Sequence, residues 1–138
     1  MKRPVRHLIG LTLGLGILVC SGEAWAACTT QTLNGAYIVT LAGENIFANS
    51  FSAFGAVTFN GAGRATVALT VNERGVGIYP LAEPATYTIS SSCLAALTLV
   101  TPYGTETYSG SVLYNGLVIL FANIADGGIQ VAGLALRP

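Results

Sequence analysis

From Leu33 onward, apolar side chains alternate with small or polar ones, which is the periodicity of a half-buried strand. Leu33, Tyr37, Val39 and Leu41 share one face of LNGAYIVTLAG. Phe51, Val57 and Phe59 share one face of FSAFGAVTFN, and Ala65, Val67, Leu69 and Val71 share one face of RATVALTVN. The turn NGAG separates the last two segments, and NERG, SSSC, TPYGTE, NG at 115–116 and DGG at 126–128 punctuate the rest. No stretch of ten or more residues carries a helical period. The pattern predicts an all-β chain.

The number of strands hangs on residues 76–90, VGIYPLAEPATYTIS, which read as one strand or two. Pro80 and Pro84 cannot donate to a ladder and fit a kink, a bulge or an edge. The start of the chain supplies what decides the matter. Lys2, Arg3 and Arg6 precede an apolar run from Leu8 to Val19 and then AWA at 24–26, the layout of a bacterial Sec-type signal peptide. The run is too short for a membrane span of about 20 residues. A lipoprotein processed at Cys20 is the rival, but the residue before a lipidated cysteine is normally small and Val19 is not. Residues 1–26 therefore read as a signal peptide and 27–138 as one domain of a periplasmic or secreted protein, with no membrane span after cleavage.

That domain keeps two cysteines, Cys28 and Cys93, and in an exported protein such a pair most simply forms a disulfide. Loop-closure entropy makes a bridge of that span worth about 4 kcal/mol. A reactive thiol is the alternative, but no His or Lys remains to depress a cysteine pKa. In a meander each hairpin reverses direction. If 76–90 is one bent strand, Cys93 returns to the end that holds Cys28; if it is two, the cysteines lie a strand length apart. A disulfide needs its Cα atoms within about 7 Å, so the one-strand reading follows. The count is then eight: 33–43, 51–60, 64–72, 76–90, 94–101, 106–114, 117–124 and 128–136. With an even count the last strand runs antiparallel to the first and can close the sheet into a small barrel, which removes the exposed edges. An open sandwich is the structural alternative.

Composition then excludes much. The single His, Met and Trp and the only Lys fall within residues 1–26, so the domain has none of them. Its charges are Arg64, Arg74 and Arg137 against Glu44, Glu73, Glu83, Glu106 and Asp126, which gives no basic patch for nucleic acid. Without His there is no Ser-His-Asp or Cys-His nucleophile, and without Lys no Schiff base. A metal site would need carboxylates alone, so neither a metal nor a cofactor is expected. GAG at 61–63 is a hairpin turn and no phosphate loop, because no helix follows it.

The assembled residues resemble a pattern in small exported bacterial proteins of uncharacterised function. It runs as a cysteine, L-x-G-x-Y, a glycine ending the strand, G-x-x-x-F-x-G-x-G, and Y-T-[VI] before a second cysteine. Here these are Cys28, Leu33, Gly35, Tyr37, Gly43, Gly55, Phe59, Gly61, Gly63, Tyr87, Thr88, Ile89 and Cys93, with Ala85 where the pattern has glycine. Such proteins look like relatives of calycin-type and allene-oxide-cyclase-like β-barrels. The resemblance implies a barrel with an apolar cavity and carries over no catalytic residue.

Five charged residues, Glu44, Glu73, Arg74, Glu106 and Asp126, fall at the end opposite the disulfide, beside the long connection GENIFANS with Ile46 and Phe47 at its tip. A rigid scaffold commonly binds through such loops, although turns are also where an apolar barrel keeps charge in water. Glu83 shares parity with Tyr87, and Glu106 with Tyr108, Val112 and Tyr114, so both carboxylates can lean inward. A carboxyl in an apolar interior is a general-acid candidate; the alternative is a solvated rim position. The expected ligand-binding residues are Tyr37, Phe47, Glu83, Tyr87, Glu106 and Tyr108.

The leading expectation is a non-enzymatic barrel that binds a small apolar ligand or a protein partner. The alternative is an isomerase or cyclase of the allene-oxide-cyclase type, steering a substrate with one carboxylate in an apolar cavity. A third reading, an outer-membrane barrel, lacks the aromatic girdles and polar lumen of that class. Finally, GLVILFANI at 116–124 and IQVAGLAL at 129–136 are apolar on both parities. With 36–42 they predict an apolar outer face and a homo-oligomer packed through it; cover by GENIFANS or the C-terminal tail is the alternative.

Overall fold

The computed structural model describes residues 27–44, 49–102, 104–123 and 130–138. The signal-peptide expectation lies outside these residues, as do Ile46, Phe47, Tyr103, Ile124 and Asp126. Eight strands follow in order: β1 (Asn34–Glu44), β2 (Ser50–Asn60), β3 (Arg64–Glu73), β4 (Gly77–Ile89), β5 (Leu94–Thr101), β6 (Gly104–Leu113), β7 (Val118–Asn123) and β8 (Gln130–Leu136). Each pairs antiparallel with the next, and β8 pairs back onto β1, from Ile38↔Leu136 to Glu44↔Gln130. The sheet is a closed barrel and no open sandwich.

The inward rows expected of the first three strands are inward. Leu33, Tyr37, Val39 and Leu41 are buried, as are Phe51, Val57 and Phe59, and Ala65, Val67, Leu69 and Val71. Because successive side chains point to opposite faces, one face decides the register of each strand. The barrel is narrow, and at Gly55 the neighbouring strand comes very close. A Cβ there would meet the carbonyl oxygen of Ala68 at 2.2 Å, so only glycine fits.

Residues 77–89 form the single long strand that the cysteines demanded, and Cys28 and Cys93 are bridged with Cα atoms 5.0 Å apart. The prolines leave a mark. β4 pairs with β3 along its length, from Glu73↔Gly77 to Arg64↔Thr86, but with β5 only from Ala85↔Leu99 to Ile89↔Ala95. Above Ala85 the β4–β5 seam lacks ladder pairs, where Pro84 and Pro80 could not have donated. Tyr114 also leaves the expected pattern. β6 ends at Leu113, and Tyr114 lies exposed in a 3-10 turn with a positive φ of 51°.

The outer face behaves as the two-sided apolar strands required. Ile38, Leu120 and Leu136 are exposed at 59%, 48% and 45%, and Leu134 stands between Thr40 and Leu120 in register.

Candidate functional site

The end of the barrel that carries the disulfide, here the lower end, is filled. Phe59 from β2 is gripped edge-on by Tyr37 at 5.2 Å and by Tyr87 at 5.0 Å between ring centres, an arrangement that suits aromatic quadrupoles. Leu33 and Ile119 are fully buried beside them. The chain before β1 folds as a 3-10 turn over Thr30–Thr32. Tyr87 Oη donates to the carbonyls of Thr30 at 2.8 Å and Leu33 at 2.9 Å, and Tyr37 Oη donates to the carbonyl of Gly116. Burial raises the pKa of Tyr37, with Arg137 opposing the shift. These hydroxyls thus find partners in the backbone of the two closing turns, as buried polar groups require.

The upper half is built from smaller side chains and does not fill. Val39, Leu41, Val57, Val67, Leu69, Val71, Leu81, Leu97 and Leu99, with Phe51 and Phe121, line a cavity of about 60 Å³ open to the centre of a water molecule. One water takes roughly 10–15 Å³ on that measure, so the space suits a compact molecule and not a long acyl chain.

Four polar residues complete the wall: Tyr79, Thr101, Glu106 and Tyr108. Tyr108 Oη donates to Glu106 Oε2 at 2.7 Å, Tyr79 Oη to Glu73 Oε2 at 3.2 Å, and Thr101 Oγ1 to the carbonyl of Gly104 at 3.1 Å. Burial first, and the Glu106 carboxylate second, push the Tyr108 phenol well above its ordinary pKa. It is a neutral donor throughout the physiological range. Directly above Phe121 on the inward face of β7, Asn123 is 3% exposed.

The expected site residues therefore divide. Glu106 and Tyr108 are on the cavity wall. Tyr37 and Tyr87 are in the filled lower half, their hydroxyls held by backbone carbonyls. Glu83 is half-buried at the β4–β5 seam, beside Ile78, Pro80 and Pro102, and is not on the cavity wall. Phe47 lies outside the described residues. Sequence reasoning passed over Tyr79, Thr101 and Asn123. Asn123 left a trace, as the polar residue on the inward parity of the apolar run LVILFAN.

Among the described residues no cluster of three or more His, Cys, Asp or Glu side chains could hold a metal ion, and no helix is long and apolar enough to cross a membrane. The arrangement can enclose a small apolar body and offer polar groups at one end of it.

No family model matches the chain, and no curated protein matches it. Solved structures do. A redesigned β-barrel, mFAP1, bound to DFHBI, superposes with a TM-score of 0.54 over 79% of this chain and 98% of that one, at 15% identity. A de novo designed fluorescence-activating β-barrel superposes with the same TM-score of 0.54 over 79% of this chain and 96% of that one, at 11% identity. At such identities the likeness is one of fold: this chain, itself a closed eight-stranded antiparallel barrel, is similar to solved β-barrels.

Proposed function

We propose that the chain is an exported, non-enzymatic barrel that holds a small apolar ligand in its upper half. The observation that carries this reading is the apolar cavity above a closed aromatic plug. A natural core tends to fill itself to crystal-like density, so a retained void with polar groups at one end points to a site. The likeness to a barrel solved with DFHBI supports it in one respect: a barrel of this architecture can host a small molecule. The disulfide supports export, since such bonds persist in oxidising compartments. Thermal unfolding with a series of compact aromatic and aliphatic molecules tests the reading. Stabilisation that saturates with concentration is expected, and no shift with any of them refutes it.

The outer apolar face favours a second reading, self-association through β1, β7 and β8. Sedimentation at micromolar concentration should show a dimer or larger species that Leu120→Lys dissociates. A monomer at every concentration refutes it.

A further inference from the structure

The hydroxyls on the cavity wall have their protons committed. Tyr108 donates its single proton to Glu106 at 2.7 Å, Tyr79 to Glu73 at 3.2 Å and Thr101 to the carbonyl of Gly104 at 3.1 Å. No arginine or side-chain amide stands among the described residues that line the space. The wall accepts hydrogen bonds and has no side-chain proton of its own to give.

Glu106 is the strongest of these acceptors. It is the one carboxylate on the cavity wall among the described residues: Glu44 is exposed, Glu73 ends β3, and Glu83 lies at the β4–β5 seam. Its Cα is in register with Leu99, an apolar wall residue of β5. The side chain is half-buried, so it keeps surface on the open space. A carboxylate offers about four lone-pair sites, and the Tyr108 hydroxyl takes one of them. No cation of the domain stands on the wall beside it. Arg64 and Arg137 lie at the lower end, and Arg74 is exposed in the turn after β3.

We infer that the ligand is a small amine, bound as its ammonium ion with an N–H donated to Glu106. Val39, Leu69, Leu99 and Phe121 receive its hydrocarbon body. A hydrogen bond between an ammonium and a carboxylate is about twice as strong as one between neutral groups. An anion would meet Glu106 with like charge, and a carbonyl would find no proton on the wall. The inference rests on the cavity reading above and adds to it the sign of the ligand's charge.

Isobutylamine, isobutanol and isobutyrate test it. They share one compact branched body suited to a space of about 60 Å³, and they differ in the polar group. An ammonium ion is far more costly to withdraw from water than a hydroxyl, so a plain apolar cavity prefers isobutanol. A carboxylate on the wall reverses that order. NMR titration of the oxidised protein at neutral pH, read at the backbone amides of Leu69 and Leu99, ranks the three. Isobutylamine should bind roughly fivefold or more tighter than isobutanol, with isobutyrate the weakest. Isobutanol bound as tightly as the amine, or more tightly, overturns the inference and leaves the cavity reading standing. Failure of all three overturns the inference, and the cavity reading is then decided by the wider thermal series. Glu106→Gln keeps an acceptor for Tyr108 and removes the charge, so the amine should fall to or below isobutanol. A preference left unchanged there overturns the role of Glu106. Glu44→Gln removes an exposed charge at the same end and should leave the order intact. Loss of the preference in that variant puts the amine on the rim and overturns the inference. The wild-type ranking decides the matter even where a variant fails to fold.

Discussion

The two ends of the barrel are made by the same alternation of residues on the same eight strands, yet one is solid and the other hollow. At the lower end Tyr37, Phe59 and Tyr87 pack edge to face, and the two tyrosine hydroxyls bond backbone carbonyls that belong to the closing turns. The Cys28–Cys93 bridge ties the entering chain to the β4–β5 turn at that end. At the upper end the inward positions are mostly Val and Leu, and the polar groups bond one another, Tyr108 to Glu106 along β6 and Tyr79 to Glu73 between β4 and β3. A small barrel can thus divide its labour. Large rigid side chains and a cross-link hold one half together, which lets the other keep an under-filled interior.

The most direct challenge to this division is to empty the plug. Phe59→Ala removes the ring between two tyrosines and should destabilise the protein by about 3–5 kcal/mol, measured by denaturant unfolding. Removing the bridge with Cys28→Ala and Cys93→Ala lifts the constraint on the unfolded chain and should cost about 4 kcal/mol in the same assay. A smaller effect comes from adding volume to each half. Leu33→Phe meets a fully buried site with no spare room and should cost about 1–3 kcal/mol. Leu69→Phe points into the cavity and should change stability by less than about 1 kcal/mol, since it has space to enter. The same Leu69→Phe should abolish any ligand-induced rise in melting temperature, and an equal cost at both positions would dissolve the contrast.

The mildest prediction is a dependence on pH. Tyr37 and Tyr108 both hold their protons more tightly when folded than an unfolded phenol, which ionises near pH 10. Their contribution is whole below that pH. As pH rises beyond about 10 the unfolded chain binds fewer protons than the folded one, so stability falls toward the raised folded values. Unfolding free energies measured from pH 8 to 11 should show this decline, and Tyr108→Phe should make it shallower.

Much of the barrel is legible in the sequence because a strand declares itself locally. A period of two, seen in Tyr37, Val39 and Leu41 or in Ala65, Val67, Leu69 and Val71, names both the strand and its buried face. Turn residues mark the ends, and the spacing of Cys28 and Cys93 settles even the reading of residues 76–90 as one strand. Inward parity brings Glu106 and Tyr108 to attention for the same reason. It cannot tell them from Glu83, Tyr37 and Tyr87, which share the property. That separation needs height along the barrel axis and the summed volume of side chains from all eight strands, neither of which any one segment contains. The plug exists because Phe59 from β2 meets Tyr37 from β1 and Tyr87 from β4 at one level. The cavity exists where Val39, Leu69, Leu99 and Phe121, from four different strands, line one space at another level. Periodicity and turns are properties of neighbours in the chain, so strands, faces and closure are written there; packing and hydrogen-bond direction depend on neighbours in space, and they emerge only once the barrel has closed.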